Sequence, residues 1–196
     1  MREVVILTFV SLDGVMQAPG GKGEDPSGGF DLEGWTVPYV DEVVGDEMTK
    51  QMGQPFDLLL GRKTYEIFAS YWPHHDSPIN KAKKYVVSNA AINTDWDETI
   101  QIEGDDVVAE IVKLKQQDGP MLQVHGSSNL IQTLLANDLA DELWLKVFPV
   151  TLGKGKRLFG EGTIPAAFKL TDSKISPSGV IIASYRRDGG VKLGSF

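Results

Sequence analysis

The amino-acid sequence predicts an α/β domain: a mixed, mostly parallel sheet flanked by helices and finished by a C-terminal antiparallel hairpin. Three observations carry this. Apolar runs at 4–10, 58–60, 85–87, 121–124 and 143–147 are continuous rather than alternating, as in strands covered on both faces. Segments with helical spacing lie between them, and strand alternating with helix is the mark of an α/β fold. Near the end the pattern changes to two runs, 168–176 and 180–187, around Pro177-Ser178-Gly179, which reads as a hairpin.

Taken in chain order, the run 4–10 follows an acid and precedes Ser11-Leu12-Asp13-Gly14, a poor match to a signal peptide and a good one to a buried strand. The segment 14–38 holds seven glycines, and a loop this long in a compact domain tends to be functional or disordered. Pro38 marks a helix start, which makes Asp41 and Glu42 first-turn acids that complement the helix dipole. Strand 58–60 runs into Gly61-Arg62-Lys63-Thr64-Tyr65-Glu66, and strand 85–87 into Ser88-Asn89. Val107, Val108, Ile111, Val112 and Leu114 form one helical stripe, with Asp105 and Asp106 placed to cap it. Leu130, Ile131, Leu134, Leu135 and Leu139 form another, after Ser127 and Ser128, either of which can cap it.

Bulk properties bound the function. A chain of 196 residues fits one domain, taken as 1–188 with a tail at 189–196. There is no cysteine, which removes disulfides, thiolate metal sites and cysteine nucleophiles and is compatible with a reducing cytoplasm. The net charge of −8 argues against a nucleic-acid surface, and no stretch has the length of a membrane span. His74-His75-Asp76 lack the spacing that presents metal ligands on one face, so no metal site is expected.

Three strand ends carry the chemistry. After 58–60, a helix N-terminus offers free N–H groups and partial positive charge to a phosphate, with Arg62 adding a planar fork and Thr64 a hydroxyl. A plain helix start with solvated Arg62 and Lys63 is the alternative. Ser88 and Asn89 put polar groups at a carboxyl sheet edge, where open α/β folds bind ligands. Gly126 lets a ligand approach the backbone at the next helix start, and His125 before it reads as structural.

These residues together resemble the dihydrofolate reductase superfamily. Leu60-Gly61-Arg62-Lys63-Thr64-Tyr65-Glu66 is similar to its Gly-Arg-x-Thr-aromatic-Glu motif, and His125-Gly126-Ser127-Ser128 to its glycine-rich turn. Ser11-Leu12-Asp13-Gly14 and Thr151-Leu152-Gly153-Lys154-Gly155-Lys156-Arg157-Leu158-Phe159 resemble the branch of the C-terminal reductase domain of the bifunctional riboflavin-biosynthesis deaminase/reductase. The likeness runs from about 4 to 187; the deaminase half is missing. It implies a dihydrofolate-reductase-like fold that binds NADPH through Gly61, Arg62, Lys63 and Thr64 at the phosphates, and Ser88 and Asn89 near the 2′-phosphate. Gly126, Ser127 and Ser128 would lie along the pyrophosphate and nicotinamide ribose. A serine at 127, where the family often has a second glycine, is a departure.

The implied activity is hydride transfer to a pteridine- or pyrimidine-like heterocycle, like that of 5-amino-6-(5-phosphoribosylamino)uracil reductase, in a cytoplasmic homodimer. A true dihydrofolate reductase, or a non-catalytic nucleotide-binding or dimerisation module on the same fold, are the alternatives. Trp35 and Tyr39 are candidate stacking walls for the substrate. Asp13 and Asp41 are the candidates for a catalytic acid, and the strand at 180–183 is a candidate sheet edge.

Overall fold

The computed structural model describes residues 1–195; Phe196, the last residue of the expected tail, lies outside the described residues. The strands are β1 (Val4–Ser11), β2 (Phe56–Gly61), β3 (Lys84–Val87), β4 (Thr99–Ile102), β5 (Met121–His125), β6 (Glu142–Phe148), β7 (Phe168–Ile175) and β8 (Ile181–Arg187). All join one sheet in the order β4-β3-β2-β5-β1-β6-β8-β7. The first six are parallel, while β8 runs antiparallel to β6 and to β7. This is the α/β architecture that the apolar runs predict. The helices are α1 (Glu42–Met52), α2 (Arg62–Tyr71), α3 (Val107–Gln116) and α4 (Ser128–Ala136). Among the described residues no helix is long and apolar enough to cross a membrane.

Alternation along β1 explains its continuous apolar character. Val4 and Ile6 pack with Ile111 and Leu114 of α3 and Ile131 and Leu134 of α4, whereas Val5 and Leu7 face the other way, beside Trp144. On that second face Leu58 and Leu60 of β2 meet Tyr65 of α2. α2 and α4 therefore lie on opposite faces of the sheet.

Three local features differ from the expectations. β4 is a strand the pattern missed, because Thr-Ile-Gln-Ile sits at the edge and is only partly buried. Pro38 lies in a short 3-10 turn (Val37–Tyr39), and α1 starts later, with Asp41 as its cap rather than in its first turn. The segment 180–183 is not an edge: β8 is inserted between β6 and β7, so that Ile182 and Ala183 are buried. The polar β7, with Lys169, Asp172 and Lys174 exposed, takes the edge, where charge discourages pairing with another chain.

Two buried polar sets fix the elements against one another. Arg2 inserts between β2, β3 and β5: its guanidinium pairs with Asp57, donates through Nε to Pro120 O at 2.8 Å, and stacks over Tyr85. On the other face, Gln51 of α1 accepts from Lys146 Nζ at 2.5 Å, while its own carbonyl accepts from Gln123 Nε2 at 3.0 Å. Glu47 closes this network by accepting from Lys174 Nζ at 2.7 Å. Gln123 Oε1 is left to accept from His125 Nε2 at 3.0 Å, so the neutral ring carries its proton on Nε2. Burial, aided by the Lys146 charge, pushes the His125 imidazole down to about 4.

Asp57→Ala leaves the Arg2 guanidinium buried and unpaired. The expected loss is about 3–5 kcal/mol, read by urea unfolding; a loss within experimental error would mean that the pair holds nothing together. His125 predicts a separate acid effect. The unfolded ring takes a proton near 6.5 and the folded ring only near 4, so acidification across that window favours unfolding. The expected cost is up to about 3 kcal/mol, since each tenfold change in proton affinity is worth about 1.4 kcal/mol. His125→Gln should flatten the stability–pH curve in that window; an unchanged slope would count against the assignment.

Candidate functional site

Because β1 to β6 are parallel, their carboxyl ends share one edge, and the predicted residues fall on four consecutive strands there. Ser88 and Asn89 follow β3, Gly61 to Thr64 follow β2, Gly126 to Ser128 follow β5, and Ser11 to Gly14 end β1. Three inter-strand spacings separate the outer two, about 14 Å. Between β2 and β5 the connections diverge, to α2 on one face and α4 on the other. A crevice at such a divergence is where open α/β sheets bind ligands.

The two loops flanking the crevice interlock. Ser127 Oγ accepts the Gly61 N–H at 2.9 Å, and a Cβ built on Gly126 would lie 3.6 Å from Thr64 Oγ1. Gly126 has φ +56°, and Ser127 also adopts a left-handed conformation (φ 62°, ψ 54°). The serine at 127 therefore keeps the backbone shape that a glycine would give, and adds a hydroxyl that ties β5 to β2.

The helix ends differ in a way that bears on ligand binding. α1 and α3 are capped by Asp41 and Asp106, whose carboxylates accept from Val44 N and Ala109 N at 3.0 and 2.9 Å. α2 and α4 have no side-chain cap. Their first-turn N–H groups thus meet the crevice without a protein anion, and a phosphate fits what is missing. Arg62 and Lys63 stand exposed on the first turn of α2, Arg62 in a loose pair with Glu66 at 3.5 Å. Farther out, Ser88 Oγ accepts from Ala90 N and donates to Ala90 O, and Asn89 Oδ1 accepts from Gly104 N. Ser88 is thus tied into the turn after β3, and Asn89 links that turn to the segment after β4.

The candidate acids are committed to structure. Asp13 accepts from Ser11 Oγ at 2.6 Å and from the Leu152 and Gly153 N–H groups at 3.0 and 2.8 Å. The Ser11 hydroxyl and those amides outweigh desolvation and hold its carboxyl down at about 2. Asp41 caps α1 and accepts from Ser178 N at 2.9 Å; against the opposing effect of desolvation, these bonds also hold it at about 2. Trp35 is buried, donates to Gln17 O at 2.8 Å, and meets Phe148 edge-on with 5.4 Å between ring centroids. Tyr39 is half-buried beside the same Phe148. The segment 14–38 is folded over the end of β6 through these contacts. Gly155 is needed there, at φ +116°, because a Cβ would come within 2.7 Å of Val15.

Sequence reading missed the polar groups beneath this edge. Lys146 was hidden in the run 143–147, read for its apolar neighbours, and Glu47 and Gln51 lie in a helix of which only the first acids were read. His125 faces Phe68 of α2 at 6.1 Å, edge to face. Lys146 pairs in register with Phe9, two residues before the end of β1, with its ammonium 5.6 Å from the Phe9 ring centroid. Burial pushes its ammonium down to about 8, against the pull of Glu47.

Comparison with known proteins agrees with this fold. The uncharacterised protein YyaP of Bacillus subtilis (strain 168) is 27% identical over 197 residues, covering 96% of this chain and 96% of its own length. A pyrimidine reductase-like protein from Corynebacterium diphtheriae superposes with a TM-score of 0.62 at 15% identity, covering 95% of this chain and 92% of that one. Dihydrofolate reductase from Enterococcus faecalis, solved with NADP(H) and RAB-propyl, gives a TM-score of 0.61 at 15% identity, covering 95% and 96%. These likenesses establish the dihydrofolate-reductase-like fold. The RibD C-terminal domain profile matches residues 2–182, and the chain belongs to that family.

Proposed function

We propose that this chain is an NADPH-dependent reductase acting on a pyrimidine- or pteridine-like ring, of the type that reduces 5-amino-6-(5-phosphoribosylamino)uracil. One observation carries the reading: among the described residues, the α-helices that open onto the crevice, α2 and α4, are the two without side-chain caps. Membership of the RibD C-terminal domain family supports it, as does NADP(H) in the structurally similar dihydrofolate reductase.

The residues fit an extended dinucleotide. The N-termini of α2 and α4 would hold the diphosphate, with Lys63 neutralising its charge, while Arg62 would reach toward the 2′-phosphate and Ser88 and Asn89 would lie toward the adenosine end. Gly126 permits close approach of the backbone. Bound there, the nicotinamide would supply hydride. The protein's part is to hold the ring near β1 and β5 and to exclude water. Asp41 is spent on its cap and on Ser178, which removes it as the free carboxylate that a folate enzyme uses for the pterin. That favours a substrate other than dihydrofolate.

NADPH at 100 times its Kd should stabilise the fold by about 2.7 kcal/mol. For a chain of this size that is a rise in Tm of roughly 5–10 °C. No shift at saturating NADPH would overturn the reading, and binding without oxidation across a panel of heterocycles would leave a non-catalytic binding module. Arg62→Ala should weaken NADPH about 10- to 100-fold, the worth of one charged hydrogen-bonding group, and NADH far less. Equal weakening of both, measured by titration calorimetry, would remove Arg62 from the 2′-phosphate.

A further inference from the structure

The reductase reading supplies hydride but no proton, and the two candidate acids are held ionised at neutral pH. Asp13 and Asp41 both lie near 2. The buried cation under α1 stands out in their place. Lys146 is 3% exposed, yet its ammonium, which has three donors, makes one hydrogen bond among the described residues, to Gln51 Oε1. Phe9 fills a second direction as a π face. A buried ammonium with unused donors costs stability unless another acceptor arrives.

Its position is informative. Lys146 lies on the α1 face, in register with Phe9 and two residues short of the carboxyl edge where β1 and β6 end. On the same face His125 closes β5, beside Phe68. Phe9, Phe68 and His125 are only half-buried, so solvent reaches this end of the face. The charged and titratable groups around Lys146 are Glu47 of α1, reached through Gln51, and His125 of β5. Lys50 and Lys174 lie beyond Glu47. His125 is neutral near pH 7, with its Nε2–H directed to Gln123, and Glu47 is held by Lys174.

We propose that Lys146 is the group that binds the reducible end of the substrate and donates the proton that accompanies hydride. The assignment rests on the reductase reading. For reduction of a C=N bond, hydride goes to carbon and the Lys146 Nζ–H bond breaks. Its electron pair stays on the amine, and its proton forms the new N–H bond of the product. The neutral amine then recovers a proton from water after product release. A group titrating near 8 is mostly charged at pH 7 and close enough to the working pH to give its proton up.

The test joins a binding readout to a kinetic one. Lysine Nζ resonances are followed by NMR against pH, with the Lys146 signal identified by its absence in Lys146→Met. The expected result is titration near pH 8, shifted when 5-amino-6-(5-phosphoribosylamino)uracil is added with NADP⁺. In turnover of that substrate with NADPH, kcat should fall above the Lys146 pKa, and Lys146→Met should lower kcat about 10²- to 10⁴-fold with KM for NADPH nearly unchanged. Lys146→Arg should retain NADPH binding but lose the alkaline limb near pH 8. The NADPH thermal shift of each variant reports that it is folded. A Lys146 resonance indifferent to the substrate, or an Arg variant with the wild-type pH profile, would overturn the assignment while leaving the reductase intact. Wild-type protein without an NADPH shift would overturn both.

Discussion

Parallel pairing of β1 to β6 gives the sheet a polarity, and the chemistry of the molecule follows from it. Strands that all point one way put all their carboxyl ends on one edge. The chain must then cross back after every strand, and its helices start at that edge with their N–H groups outward. The four consecutive strand ends of β3, β2, β5 and β1 therefore form a row of helix starts and loops. An antiparallel sheet of the same residues would scatter Gly61, Ser88, Gly126 and Ser11 between two edges. The antiparallel β7 and β8 come after β6 and close the sheet without interrupting the row.

That row carries local costs. A Ser, Thr, Asp or Asn cap is worth about 1 kcal/mol, and α2 and α4 forgo one while α1 and α3 use an aspartate. Ser127 adds a left-handed backbone that costs an L-residue about 1–2 kcal/mol. The Ser127 hydroxyl offsets part of this by bonding Gly61 N, which also locks the spacing of the two loops. Strain and uncapped helix starts beside the crevice between β2 and β5, with capped starts farther along the same edge, is the distribution expected where a ligand completes the structure.

The fold was legible in the sequence because the strands are buried on both faces. Residues 4–10, 58–60 and 143–147 had no solvent side on which to show polar alternation. β4 escaped because a four-residue edge strand with three half-buried residues and an exposed Ile100 looks like a loop. The hairpin was visible but not its insertion, since local pattern cannot say which of two strands pairs with β6; burial of Ile182 and Ala183 decides it. The places of the glycine turn and the helix starts at the strand ends were readable because they are backbone features. Trp35 shows how such a ring stays ambiguous: a large ring with one N–H suits a ligand wall and a buried brace equally, and here the N–H is bonded to Gln17 O. The clearest overlooked signal was Lys146, a lone cation between Leu145 and Val147 in an otherwise apolar strand.

That lysine bears on what the sheet's second face is for. An apolar side chain at 146, with apolar partners at 51 and 47, would fill the same space without desolvating charge, and such replacements often leave proteins as stable or more so. Packing therefore gives no reason for a cation there. The charges are also arranged unevenly: Glu47 is answered at its outer side by Lys174 and Lys50, whereas Lys146 at the inner side meets only neutral groups, Gln51 and Phe9. A network built only to bind α1 to the sheet would place its counter-charge against the buried partner. This one leaves the buried ammonium without an anion beside it, two residues short of the edge where β1 and β6 end, in a protein whose net charge is −8. A local cation inside an acidic molecule favours an electron-rich acceptor at that spot over any other small molecule.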